Sequence, residues 1–227
     1  MKIRIFSIIF LFTGMSIYCS GQDLDDEYIF DQTNTWFFLL NKVKITNKLS
    51  LENELHERTG AFLSQQGTFL WRPSLGYHFH SKSSLSVGYS LLINEPNDPN
   101  PKPLFHTIEN NVWEQFQRLG KWNLSHRLRQ EHRWSNGFNN RFRYRITWTH
   151  SIGAGPIFIN LFNEFWINQK VNLIPEKWSR NWTYLGLGHQ LFGSSNFQLG
   201  YMNQLDFISE DLKVITPIVQ TTMVYNF

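Results

Sequence analysis

Apolar and polar residues alternate with a period of two along most of the chain, and no helical period is sustained. From position 49, Leu49, Leu51 and Leu55 are interleaved with Ser50, Glu52, Glu54, His56 and Arg58. Phe69, Trp71, Leu75, Tyr77 and Phe79 alternate with Thr68, Arg72, Ser74, Gly76 and His78. Leu85, Val87, Tyr89, Leu91 and Ile93 alternate with Ser86, Gly88 and Ser90. Phe142, Tyr144, Ile146 and Trp148 alternate with Arg141, Arg143, Arg145 and Thr147, and Phe197, Leu199, Tyr201, Leu205 and Phe207 with Gln198, Gly200, Gln204 and Asp206. The pattern predicts eleven strands: 34–45, 49–58, 68–79, 85–93, 105–117, 122–134, 140–150, 157–168, 180–192, 197–208 and 213–227. Most run for about ten residues, enough to cross a hydrocarbon layer at a tilt of ~45°. Strands of soluble domains are about half as long.

The connections alternate as well. Those at 46–48, 80–84, 118–121, 151–156 and 193–196 are short, and those at 59–67, 94–104 and 169–179 are longer or irregular. The stretch Asn94-Glu-Pro-Asn-Asp-Pro-Asn-Pro-Lys-Pro103 holds four prolines and cannot be regular structure. Short turns on one rim and long loops on the other predict an all-β fold, a closed antiparallel transmembrane up-and-down barrel of 10 to 12 strands. A secreted soluble β-sandwich, the rival reading, gives no reason to segregate loop lengths.

The first residues carry their own signal. Met1 to Arg4 are basic, residues 5–18 are mostly apolar and too short for a comfortable span, and small residues precede Gln22. This predicts a cleaved export signal at 1–21, followed by an acidic segment at 22–33 and the barrel at 34–227. Acylation of Cys19 is the alternative, disfavoured by bulky Tyr18 before it. Losing residues 1–21 removes Lys2, Arg4 and the sole cysteine, so the charge falls from +3 to +1 and no disulfide is available. The predicted location is the bacterial outer membrane, with the short turns and the C-terminus on the periplasmic side. Strand 34–45 then runs downward, and a periplasmic N-terminus requires one further upward crossing. Residues 22–33, with Asp23, Asp25, Asp26 and Glu27, are expected to form it as a poor first strand of twelve or to thread the lumen as a plug.

Composition agrees with this picture. Aromatics are 16% and charged residues 17%, which excludes a disordered chain, and a mean hydropathy of −0.34 excludes a helical membrane protein. Trp36, Trp71, Trp122, Trp134, Trp148 and Trp182 lie near strand ends or on the outer face and are expected to form interfacial girdles. The last strand ends on Tyr225 and Phe227. Its terminal aromatic resembles the signal read by the bacterial barrel-assembly machinery, which is thus an expected partner beside outer-membrane lipid and lipopolysaccharide.

The densest charge falls on two strands: Arg127, Arg129, Glu131 and Arg133 share one face, and Arg141, Arg143 and Arg145 another. A cation facing lipid at the midplane costs about 2–4 kcal/mol, so these faces should point inward. A symmetric hairpin about 135–139 would set Arg133 opposite Arg141, Glu131 opposite Arg143 and Arg129 opposite Arg145. The next turn would put Glu164 beside Arg143, and the preceding one Glu109 beside Glu131. This cluster reads either as an anion-attracting lumen or as the Arg–Glu filling of a narrow barrel. Nucleic acid is excluded as a partner, because the mature charge is near zero and the interleaved residues are apolar. Glu109 and Glu131 could do acid–base work, but beside several arginines they read as a satisfied network. The histidines show no tight metal spacing, and no Gly-x-Ser-x-Gly is present, so no catalytic residue, metal or cofactor is predicted.

Glu109-Asn-Asn-Val-Trp-Glu-Gln115, Arg127-Leu-Arg-Gln-Glu-His-Arg-Trp134, Arg141-Phe-Arg-Tyr-Arg145, Asn163-Glu-Phe165 and Leu199-Gly-Tyr-Met-Asn-Gln204 resemble a family of Gram-negative outer-membrane β-barrels catalogued as a domain of unknown function. The resemblance implies fold and location and brings no activity. Two functions remain open: a non-enzymatic barrel, structural or passing small polar or anionic solutes, and an outer-membrane lipid- or lipopolysaccharide-modifying hydrolase.

Overall fold

The computed structural model describes residues 27–63, 65–94, 107–135, 137–169, 177–209 and 211–227. The predicted export signal, Cys19, the acidic residues Asp23, Asp25 and Asp26 and most of the Pro-rich stretch lie outside these residues. Twelve strands follow one another: β1 (Glu27–Phe30), β2 (Asn34–Lys44), β3 (Leu49–Gly60), β4 (Gln65–His80), β5 (Ser83–Asn94), β6 (Thr107–Leu119), β7 (Leu124–Ser135), β8 (Gly137–Ser151), β9 (Ile157–Gln169), β10 (Lys177–Gln190), β11 (Asn196–Phe207) and β12 (Leu212–Asn226). From β2 to β12 each strand pairs antiparallel with the next, and β12 returns to β2, closing the ring. Closure leaves no free edge among these eleven strands.

The closing pair is parallel, with Ile218 opposite Asn34 and Asn226 opposite Lys42. This follows from parity. In an up-and-down ring with an odd number of strands, the first and last run the same way. The expected upward crossing before β2 is therefore not needed, and residues 27–33 do not make one. β1 instead pairs parallel with the start of β12, Glu27 opposite Leu212 through Phe30 opposite Ile215. Asp31–Thr33 contain no reversing turn. Phe30 to Asn34 spans four steps where Ile215 to Ile218 spans three, so one extra residue bulges between β1 and β2. β1 and β2 are thus one interrupted strand laid along β12.

Burial follows the alternation. Even-numbered residues of β2 to β5 and β9 to β12, and odd-numbered residues of β6 to β8, face the interior. The outward rows carry exposed apolar side chains, among them Phe37, Leu51, Leu75, Val87, Leu185, Leu187 and Leu199. Large inward rings are accommodated by small inward neighbours. Gly186 and Gly200 pair across β10 and β11, and a Cβ on either would fall within 2.6 Å of the Tyr184 ring. Gly88 leaves the same kind of space for Trp113. Among the described residues no helix is long and apolar enough to cross a membrane, which says nothing about crossing by strands.

Candidate functional site

The inner faces of β6 to β9 bring the arginine rows together in a register that differs from the symmetric-hairpin expectation. Arg127 lies opposite Arg145, Arg129 opposite Arg143, Glu131 opposite Arg141 and Arg133 opposite Asn139. This is a slip of two residues. Glu164 lies opposite Arg145 rather than Arg143. Across β6 and β7, Trp113 stands opposite Glu131, so Glu109 is not beside Glu131 as expected. Each difference is an even number of residues, which leaves every side chain on its predicted face.

Glu164, fully buried, is the hub. It accepts from Arg127 Nη2 at 2.7 Å, from Arg143 Nε and Nη2 at 3.0 and 2.9 Å, and from Arg145 Nη2 at 2.5 Å. Glu131 accepts from Arg143 Nη1 at 2.7 Å and from Arg141 Nε at 2.6 Å. Arg143 therefore bridges two buried carboxylates. Nearer the long-loop rim, Glu109 takes Arg133 in a two-pronged pair at 2.5 and 2.6 Å. Arg129 finds no carboxylate at hydrogen-bond distance. It donates twice to Gln115 Oε1, at 2.9 and 2.7 Å, and stands 3.9 Å from Glu131. Burying guanidinium groups is costly unless they are paired or hydrogen-bonded, and this network pairs most of them.

Aromatic faces cover the same guanidinium groups and also Arg129 and Arg58, which among the described residues have no carboxylate at hydrogen-bond distance. Arg143 lies 3.9 Å and Arg141 4.3 Å from the Trp166 ring centroid, Arg129 4.3 Å from Trp113, Arg145 4.1 Å from Phe162 and Arg58 4.1 Å from Trp36. A desolvated cation over an aromatic face gains about 2 kcal/mol. Trp36 and Trp182 are therefore not girdle residues. Both face the interior, their centroids 5.3 Å apart, within a cluster that includes Phe162, Trp166, Tyr184, Met202 and Ile218. Their position near a strand end was read as interfacial, but their even numbers put them on inward rows. Trp71, Trp122 and Trp134 are exposed on the outside, and Trp148, also on an outward row, is covered and stacked on His150. Tyr225 and Phe227 stack on each other at the short-turn rim.

The network and the aromatic cluster together fill much of the lumen at mid-height along β5 to β12. Ser90, Trp113, Glu131, Arg143, Glu164, Trp182, Met202 and Ile218 lie on eight strands around the ring, and none exceeds 4% exposure. A cavity of about 410 Å³ lies below them, towards the short turns, and one of about 510 Å³ lies above, towards the long loops. A family model described as a protein of unknown function (DUF2490) matches residues 33–213. The chain belongs to the DUF2490 family. That match spans β2 to the first residues of β12 and so includes every member of the buried network. No curated protein and no solved structure matches the chain.

Several interior residues of this DUF2490 chain had not been singled out by sequence. Arg72 donates to Glu54 at 2.5 Å and to Ser90 at 2.8 Å, and Glu54 also meets His56 Nε2 at 2.6 Å. Arg58, Arg72, Glu54 and His56 all sit on the polar rows of the alternation, so face parity was the signal that could have found them. Among the described residues no group of three or more His, Cys, Asp and Glu could hold a metal ion. On the outer face, three strands carry a polar chain. His132 Nε2 lies 3.3 Å from both carboxylate oxygens of Glu114, and His132 Nδ1 lies 2.8 Å from Asn140 Oδ1. Glu114 also borders an outer groove walled by Leu75, Leu85, Val87, Phe116, Leu128 and Phe142. A second outward group joins Asn163 to Asn181 and Thr183 at 3.2 and 2.8 Å.

Proposed function

We propose that the protein is an outer-membrane β-barrel whose interior is a fixed ion-pair and aromatic filling, so that it serves a structural or binding role and not as an open pore. The observation that carries this reading is the buried ring at mid-height, with Arg143 held between Glu131 and Glu164. Strands of 11 to 16 residues from β2 to β12, apolar outward rows and enclosed charge support insertion in a bilayer. Reconstitution into planar bilayers tests the closure. The wild type should show no discrete conductance steps, and a variant lacking both Arg143 and Trp166 side chains (Arg143→Ala with Trp166→Ala) should show them. Unitary openings in the wild type would overturn the closed reading. Recovery of the exported protein in a fraction released without detergent would overturn the membrane reading.

A second reading, a lipid- or lipopolysaccharide-modifying hydrolase, is favoured by the Glu114–His132–Asn140 chain. A carboxylate–histidine pair on an outward face beside an apolar groove is placed to meet an acyl chain and to move a proton during ester hydrolysis. Lipid profiles of deletion cells complemented with wild type or with Glu114→Gln decide it. Identical profiles would eliminate the reading.

A further inference from the structure

The lower cavity is unlike the rest of the interior in its charge. Seven cationic side chains line it: Lys42 and Arg58, Arg72, Arg127, Arg129, Arg143 and Arg145. Four carboxylates pair with them: Glu52 with Lys42, Glu54 with Arg72, Glu131 with Arg143, and Glu164 with Arg127, Arg143 and Arg145. Glu131 is also shared with Arg141, which belongs to the upper half. At least three positive charges are therefore in excess around a space of about 410 Å³.

The excess is concentrated on two groups. Arg58 lies over Trp36, and its buried Nε has no hydrogen-bond partner among the described residues. Arg129 is 3% exposed, and its buried Nη1 makes no hydrogen bond, standing 3.9 Å from Glu131 Oε1. The Tyr184 hydroxyl, on the same cavity, is also buried and unpartnered. Unmade bonds of this kind are costly in a native interior, and a ligand that accepts them removes the cost. A guanidinium fork matches the oxygens of a carboxylate or phosphate, and a hydroxyl donor adds a third contact.

We propose that the cavity on the short-turn side is a blind binding site for a small oxyanion carrying an apolar group. The oxyanion is bound by Arg129 with Arg58 and Tyr184, and the apolar group lies against Phe38, Phe162 and Leu40, which share the cavity wall. On the closed reading proposed above the site is a dead end, so the ligand enters and leaves by the short-turn rim. Binding weakens with salt, because the attraction is carried by cations in excess of the carboxylates.

Calorimetry on the purified full-length barrel in detergent, with phenyl phosphate and inorganic phosphate as probes, tests this. Phenyl phosphate should bind saturably below about 10 mM, and more tightly than inorganic phosphate. Arg129→Gln should weaken it about tenfold or more, as expected for loss of charged hydrogen bonds. Gln117→Glu, which adds a carboxylate to the cavity and leaves every arginine in place, should do the same and guards against a variant that fails to fold. Arg180→Gln removes a cation from the upper cavity and should leave binding unchanged. No saturable heat from phenyl phosphate, unchanged affinity in Gln117→Glu, or an equal loss in Arg180→Gln would each overturn the proposal. Equal affinity for the two probes would overturn the part assigned to the apolar wall.

Discussion

The interior has two unlike walls. On β6 to β9 the inward residues at mid-height are ionic, built around Glu131, Arg143 and Glu164. On β10 to β12 and β2 they are Trp182, Tyr184, Met202, Ile218 and Trp36, an apolar cluster. Two ionic walls facing each other would leave buried cations in excess. At the seam between the ionic and the apolar wall arginine lies on aromatic rings, and Arg143 stands 5.4 Å from the Trp182 ring of the apolar wall. Trp166 shows the junction: it belongs to the apolar cluster, yet Arg141 and Arg143 lie over its ring. The difference teaches that the filling is one mixed layer, in which carboxylates and aromatic faces share the task of holding arginine away from water.

The sharpest way to break the comparison is at the ionic hub. Glu164→Gln leaves buried Arg143 and half-buried Arg127 and Arg145 short of an anion and should destabilise the barrel by about 3–5 kcal/mol, read from urea unfolding in detergent. A loss below about 1 kcal/mol would show that the ionic wall is held by packing alone. On the apolar wall, Ile218→Ala opens a cavity and should cost about 2–5 kcal/mol in the same assay, with no dependence on salt. Trp166→Leu tests the junction. A double-mutant cycle with Arg143→Met should give a coupling of about 2 kcal/mol, and additivity would sink the idea that the walls support each other. The smallest effect is expected at the rim, where Arg180 meets Asp206 in partial contact with solvent. Asp206→Asn should change the midpoint by about 1 kcal/mol or less, and a larger change would mean that the ionic wall extends to the mouth.

Much of this architecture can be read from the chain, and what cannot is specific. The alternation gave strand number, strand length and the inward face, because the side-chain period of a strand is two and one face must exclude charge. Arg127, Arg129, Glu131 and Arg133 point inward for that reason, and so do Arg58 and Arg72. The partners of those side chains are another matter. A slip of two residues keeps every face and changes every neighbour, so Glu164 could be expected near Arg143 without its contacts to Arg127 and Arg145 being visible. The placement of Trp36 and Trp182 was misread because a Trp near a strand end suits a membrane interface and a packed interior equally well in sequence. The parallel closure was hidden because no local pattern records which strand ends meet.

The amino-acid sequence by itself determined sidedness: which residues face in, how long each strand runs and which rim holds the short turns. The physical reason is local, since alternation and turn chemistry act within a few residues. Only the tertiary structure decided register, closure of the sheet and the mixed ionic and aromatic filling. Those depend on how an odd number of strands returns to its start, and on which side chains meet across a ring of eleven strands.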